Sequence, residues 1–211
     1  MDFASLARGR RSIRKFLDKD VALEDVEKLI NTAVTAPSGC NSQCWKFVAV
    51  KDRETILKIE EAVADRVNAL LEIDRPHLPE SYLKAKRKMV GFFTEAPVSI
   101  AVFMTRLDYY DPNLVSALTK QGYNHEDMMK LCAYPDFLSI GAAIQNLLLA
   151  AHEMGLGACW MNEPAFAAEE IRQILGEPEE HKFISLIPIG YPAYAPREKQ
   201  LKPLSEVYKV V

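Results

Sequence analysis

Much of what usually betrays a protein's chemistry is missing from this chain. Cysteine is scarce: Cys40, Cys44, Cys132 and Cys159 are the only four in 211 residues, and no two are spaced C-x-x-C. That excludes a disulfide scaffold in a chain of this length, and Cys40/Cys44 have no partner at zinc-finger spacing. The histidines His77, His125, His152 and His181 are scattered, with no H-E-x-x-H among them, so no metal site is expected. There is no Walker sequence and no G-x-G-x-x-G, and Gly155-Leu156-Gly157 opens no helix of that kind. Net charge is only −3, which gives no overall pull towards nucleic acid or an anionic membrane. No apolar run approaches the ~18 residues of a membrane span, and the N-terminus lacks the apolar core of a secretory signal. The expectation is a cytoplasmic protein with neither nucleic acid nor membrane as partner.

What is present is an ordinary globular composition, 49% hydrophobic and 26% charged, in a chain short enough for one domain over 1–211. Val21, Leu23, Val26, Leu29, Ile30, Ala33 and Val34 recur at helical spacing, which predicts a helix over 22–35 that stops before Pro37. Further helices are expected over 53–71 and 81–94, with a loop at 74–82 around Pro76 and Pro79. Strands are expected at 45–50, 97–104 and 183–190, the last two apolar enough to be buried. Residues 137–154 are apolar on almost every side, as in a helix buried all round, with Gly155 as its stop. The stretch 105–135 is irregular and only weakly helical, a candidate lid carrying Tyr109, Tyr110, Tyr123 and Tyr134; the alternative is that these tyrosines pad a surface helix. After Gly190 no core helix is expected. Alternating helices and strands make an α/β or α+β layer structure.

Four stretches carry chemistry. In "RGRRSIRKF", Arg8, Arg10, Arg11, Arg14 and Lys15 surround Ser12, while Ile13 and Phe16 anchor the segment. Read alone it is either a solvated basic patch or a phosphate site, since guanidinium forks match phosphate oxygens and a hydroxyl adds a neutral donor. In "APSGCNSQCWKF", Pro37 stiffens the loop, Gly39 permits close backbone approach, and Ser38, Asn41 and Gln43 offer hydrogen-bonding groups. Such a loop either caps the preceding helix or grips the polar edge of a flat heterocycle. "GLGACWMNEP" is either a helix stop or a run of exposed N–H groups beside Trp160 and Met161. "GYP" at 190–192 turns out of a strand towards Arg197 and Lys199.

In their order and spacing these stretches resemble the nitroreductase family of flavin mononucleotide (FMN) oxidoreductases. The resemblance rests on "RRSIRKF", "APSGCNSQCWKFVAV", "AAIQNLLLAAHEMGLGACWM" and "IPIGYP" before a basic tail. One departure is Cys44, where the family commonly has proline. The resemblance implies an α+β, three-layer fold with a central mixed, mainly antiparallel sheet flanked by helices, assembled as an intertwined homodimer. Residues 195–211 would pack on the partner subunit. It implies FMN held by Arg10, Arg11 and Ser12 at the phosphate, with Arg197 and Lys199 closing on it. Arg14 would lie near N1 and O2 of the ring, and Asn162, beside Met161, would present its N–H to N5. Pro37, Ser38, Gly39, Asn41 and Gln43 would come from the other subunit. A cation from Lys86, Arg87 or Lys88 is a further candidate. The implied activity is hydride transfer from NAD(P)H through the flavin to a nitroaromatic, quinone or similar small-molecule acceptor, by a ping-pong route. The alternatives are a relative with specialised flavin chemistry, dehalogenation or flavin breakdown, and a non-catalytic FMN-binding protein.

Overall fold

A computed structural model describes residues 2–105 and 111–211. Among them the sheet has four strands, β1 (Trp45–Val50), β2 (Val98–Met104), β3 (Gly157–Ala158) and β4 (Lys182–Gly190), in the order β1-β2-β4-β3. All three pairings are antiparallel, and a single parallel bridge, Ser12 to Ala158, adds the mixed element. The three strands expected from the sequence are found within a residue of their predicted ends; β3 is the additional one.

The long strands alternate between two cores. Val98, Ile100 and Val102 of β2 face one, while Ala101 and Phe103 face the other. With both faces covered, period-2 alternation disappears into a continuous apolar run. Opposite Val102/Phe103 the register slips, so that Ser185 and Phe183 are paired and Ile184 is extra. This bulge lets Ile184 and Leu186 face opposite cores. Phe103 and Phe183 meet edge-on, with ring centroids 5.5 Å apart.

Helices cover both faces, giving three layers. On one side lie α2 (Leu23–Ala33) and α7 (Pro135–Glu153); on the other lie α3 (Arg53–Leu71), α4 (Glu80–Gly91) and α8 (Ala168–Ile174). α7 starts two residues earlier than predicted because Pro135 occupies its first turn, where a missing N–H costs nothing. It ends at Glu153, and Gly155 turns the chain away with φ +74°. The helix expected over 81–94 breaks at Gly91 into a 3-10 turn over Phe92–Glu95, and the 74–82 loop is partly a 3-10 turn, Glu72–His77.

Short helices went unpredicted: α1 (Phe3–Gly9) and α8, and within 105–135 α5 (Pro112–Lys120) and α6 (His125–Leu131). Tyr109 and Tyr110 lie outside the described residues; Tyr123 and Tyr134 are exposed. The tail holds only the four-residue, exposed α9 (Leu204–Val207), in keeping with the absence of a core helix there. No described helix is long and apolar enough to cross a membrane.

Candidate functional site

The site is built along the free edge of β3. On its inner edge β3 pairs with β4, and the chain stays bonded to that strand as it continues: Cys159 N–H donates to Pro188 O, and Met161 exchanges both backbone bonds with Leu186. On its outer edge the basic N-terminal segment docks, with Ile13 N–H donating to Ala158 O at 3.0 Å. Strand alternation then points the N–H groups of Trp160 and Asn162 to this same outer edge. Neither donates a hydrogen bond among the described residues. At roughly 3.3 Å per residue, the open edge runs on for about 13 Å from Ala158 to Asn162.

Gly157 makes that docking possible. A Cβ there would stand 2.7 Å from Ile13 Cγ1 and 2.8 Å from Ile13 Cβ and Cγ2. At the head of the edge sit the cations. Arg10 Nε is buried with no hydrogen-bond partner. The Arg10 residue lines a cleft of about 100 Å³ together with Gly9, Arg11, His152, Ala158 and Pro196. A buried cationic donor without an acceptor is costly unless an anionic oxygen completes it, so this end of the edge suits a phosphate. Arg11 is engaged instead with backbone: it donates to the carbonyls of Arg8 and Arg10, and through Nε to Arg197 O at 3.0 Å. It thereby ties the tail, with exposed Arg197 and Lys199, to the N-terminal segment. Arg14 is exposed, two residues beyond the Ser12 bridge.

Cys159 is a member of this group that the sequence did not single out. Its thiol is buried beside Ser12, Arg14 and Arg10; burial pushes it up, although Arg14 and the Ser12 hydroxyl pull the other way. Met161 turns its side chain into the core, so the residues that present themselves outward here are Trp160 and Asn162. The Trp160 indole donates to Asn162 Oδ1 at 2.7 Å. Of the three candidate cations on α4, Lys86 reaches this region, pairing with Glu163. Arg87 lies 3.9 Å from Glu60, and Lys88 lines an open groove with Lys84 and Glu95.

The loop after α2 is built elsewhere. Gly39 N–H donates to Ser139 Oγ on α7 at 3.2 Å, and Gln43 N–H to Ser38 Oγ at 3.0 Å. Left-handed backbone falls on Cys40, Asn41 and Gln43, not on the glycine, so the loop holds strain of a kind common at functional sites. Pro37 and Asn41 are exposed. The chain's own Arg10 group is far off: Ser139 and His152 are thirteen positions apart on α7, which is about 20 Å along the axis. The Trp160 ring, moreover, lies against Gly141, about 200° around the helix from Ser139. Arg10, Arg11, Ser12, Arg14, Met161 and Asn162 are therefore brought together, Arg197 is tied to them, and Pro37–Gln43 is set apart.

Cys40 is exposed and Cys44 buried, both free. Burial pushes the Cys44 thiol up, with the Asp136 charge adding to it, so this loop cysteine is an inert core residue. Under native conditions Cys44 and Cys159 should stay unreactive towards a thiol reagent and react only on unfolding; rapid native labelling of either would contradict the packing described.

Known proteins bear on this arrangement. The chain is 29% identical to iodotyrosine deiodinase of Hydra vulgaris, over 98% of this chain and 71% of that one. It is 31% identical to a candidate NADH dehydrogenase/NAD(P)H nitroreductase of Methanothermobacter thermautotrophicus, over 95% and 83%. Among solved structures, a BluB-like flavoprotein from Clostridium difficile 630 superposes with a TM-score of 0.86 at 31% identity, covering 100% of this chain and 99% of that one. A candidate nitroreductase in complex with FMN from Desulfovibrio desulfuricans superposes with a TM-score of 0.66 at 25% identity, covering 97% and 94%. The Nitroreductase family model matches residues 7–191, and with the fold and the β3 edge already in place, this chain belongs to the Nitroreductase family.

Proposed function

We propose that this protein is an FMN-dependent oxidoreductase that takes electrons from NAD(P)H and passes them to an electron-poor small molecule, a nitroaromatic or a quinone. The observation that carries the reading is the outer edge of β3. The partnerless Arg10 Nε stands at its head, and the free N–H groups of Trp160 and Asn162 continue it. The flavin of the similar structures and the FMN of one of them support the choice of cofactor.

In this reading Arg10 and Ser12 hold the phosphate, and Arg197 and Lys199 close over it once Arg11 has tied the tail down. Bound FMN would supply a two-electron acceptor, N5, that NAD(P)H reduces and the second substrate re-oxidises. Arg14 places positive charge where the reduced ring becomes negative, and Asn162 N–H donates towards N5. Pro37, Ser38, Gly39, Asn41 and Gln43 serve the site of a second copy, because α7 keeps them away from their own. The assembly is thus a homodimer with two equivalent sites. Exposed apolar residues on α7 (Phe137, Leu138) and in the tail (Leu204, Val207, Tyr208) supply surface for it. Free thiols throughout suit a reducing cytoplasm.

The deiodinase among the relatives favours a second reading, reductive dehalogenation at the same site. Steady-state turnover separates the two. Ping-pong reduction of a simple quinone or nitroaromatic with NAD(P)H supports the first; turnover confined to a halogenated aromatic, with none of these acceptors reduced, overturns it.

A further inference from the structure

The turn at Asn162–Glu163 is held from two sides by side chains that reach other layers of the fold. On one side the Trp160 ring rests on α7 at Gly141, where a Cβ would stand 3.5 Å from the ring's far carbon. Its Nε1 donates to Asn162 Oδ1 at 2.7 Å. On the other side α4 sends Lys86 Nζ to the Glu163 carboxylate. Ahead of the turn, Met161 is locked to Leu186 by two backbone bonds, and behind it Ala165 N–H donates to Asn162 O at 3.0 Å. Amid these anchors the Asn162 N–H itself donates to nothing among the described residues. The side chains on both sides of the turn are tied and this donor is left open, which is how a preorganised donor is made: its orientation is set before anything binds.

We infer that Trp160 and Lys86 are positioning residues, which act through Asn162 and Glu163 to keep the Asn162 N–H aimed at flavin N5. The inference rests on the flavin reading above and deepens it. The two braces differ in kind. Trp160 supplies a neutral hydrogen bond and a flat surface seated on a glycine. Lys86 supplies a partly buried charge pair, its side chain 18% exposed, in which loss of one member leaves the other charge poorly solvated. Both lie at the surface side of the turn, the tryptophan 38% exposed, so either can be changed without opening the core.

The test compares FMN-loaded wild type with Trp160→Phe, Lys86→Met and the exchanged pair Lys86→Glu/Glu163→Lys. Three quantities are measured: FMN affinity, the midpoint potential of the bound flavin, and the rate of its anaerobic reduction by NADH or NADPH. A donor aligned with N5 stabilises the negative charge that builds on the ring as hydride arrives, so it favours the reduced state and lowers the barrier to it. Trp160→Phe is therefore expected to lower the potential and to slow reduction about tenfold, short of the hundredfold or more that outright loss of such a donor costs. FMN affinity should stay within about threefold, because the phosphate end is untouched. Lys86→Met should slow reduction similarly, and the exchanged pair should restore it. Should Trp160→Phe not fold, Lys86→Met against the exchanged pair decides the matter. Loaded variants with wild-type potential and rate overturn the inference alone. A wild-type protein that takes up no FMN overturns the flavin reading and the inference with it.

Discussion

Arg10→Ala is expected to weaken FMN binding by roughly 2 to 4 kcal/mol, a loss of about thirtyfold to several hundredfold in affinity. The reason is local. Arg10 Nε is buried and partnerless, so its satisfaction waits on an acceptor brought by the ligand, and the alanine variant removes a charge-assisted bond that nothing else replaces. Arg11, though adjacent, is already spent on the carbonyls of Arg8, Arg10 and Arg197 and cannot take over. Arg14→Ala should behave differently, slowing reduction more than it lowers occupancy, because in the proposed arrangement its charge faces the ring. Equilibrium dialysis or fluorescence titration with FMN measures the first effect; unchanged affinity in Arg10→Ala would mean that the basic segment faces something other than the phosphate.

Gly157→Ala is the second large effect. The added Cβ would collide with three Ile13 atoms at 2.7–2.8 Å, and Ile13 is a branched, buried side chain with little room to turn. Overpacking of this kind costs about 1–3 kcal/mol, and the melting temperature should fall by roughly 2–4 °C for each kcal/mol in a chain of this size. The displacement also has a direction. It drives the Ser12–Ile13 segment off Ala158, so the proposed phosphate donors at the head of the edge move away from the open N–H groups further along. Reduced FMN affinity should accompany the lower melting temperature. A variant with wild-type stability and wild-type affinity would show that the N-terminal segment does not depend on this contact.

The sequence made some of this legible and hid the rest for physical reasons. α2, α3, β1, β2 and β4 bury whole faces, so their apolar residues recur at the helix or strand period and can be read directly. α1 and α8 each bury a single side chain, Leu6 and Ile171, and no periodicity survives that. α5 buries no side chain and α6 only Met128 and Met129, yet their starts were written locally. Asp111 caps a helix with Pro112 in its first turn, and Asn124 and Asp127 form a capping box. The irregular composition around them masks those signals.

At the site, the basic segment and the Asn162 turn were visible as motifs, but not their union on one strand edge, since β3 is two residues long and defined by pairing alone. Lys86–Glu163 joins positions 77 apart, and Cys159 matters through neighbours at Ser12 and Arg14; neither contact leaves a trace in local sequence. In the loop after α2, glycine suggested where the backbone would bend. The left-handed residues are instead Cys40, Asn41 and Gln43. Of these only asparagine takes that conformation readily, so the rest is held by contacts such as Gly39 N–H to Ser139 Oγ, a hundred residues away.

The most direct test of the central claim is an absorbance spectrum of the purified protein, loaded with FMN if it is colourless and followed anaerobically as NADH or NADPH is added. Oxidised-flavin bands that bleach with one of the two donors, at one FMN per chain, are the result predicted here. A protein that cannot be loaded, or whose flavin bands persist with both donors, would contradict it.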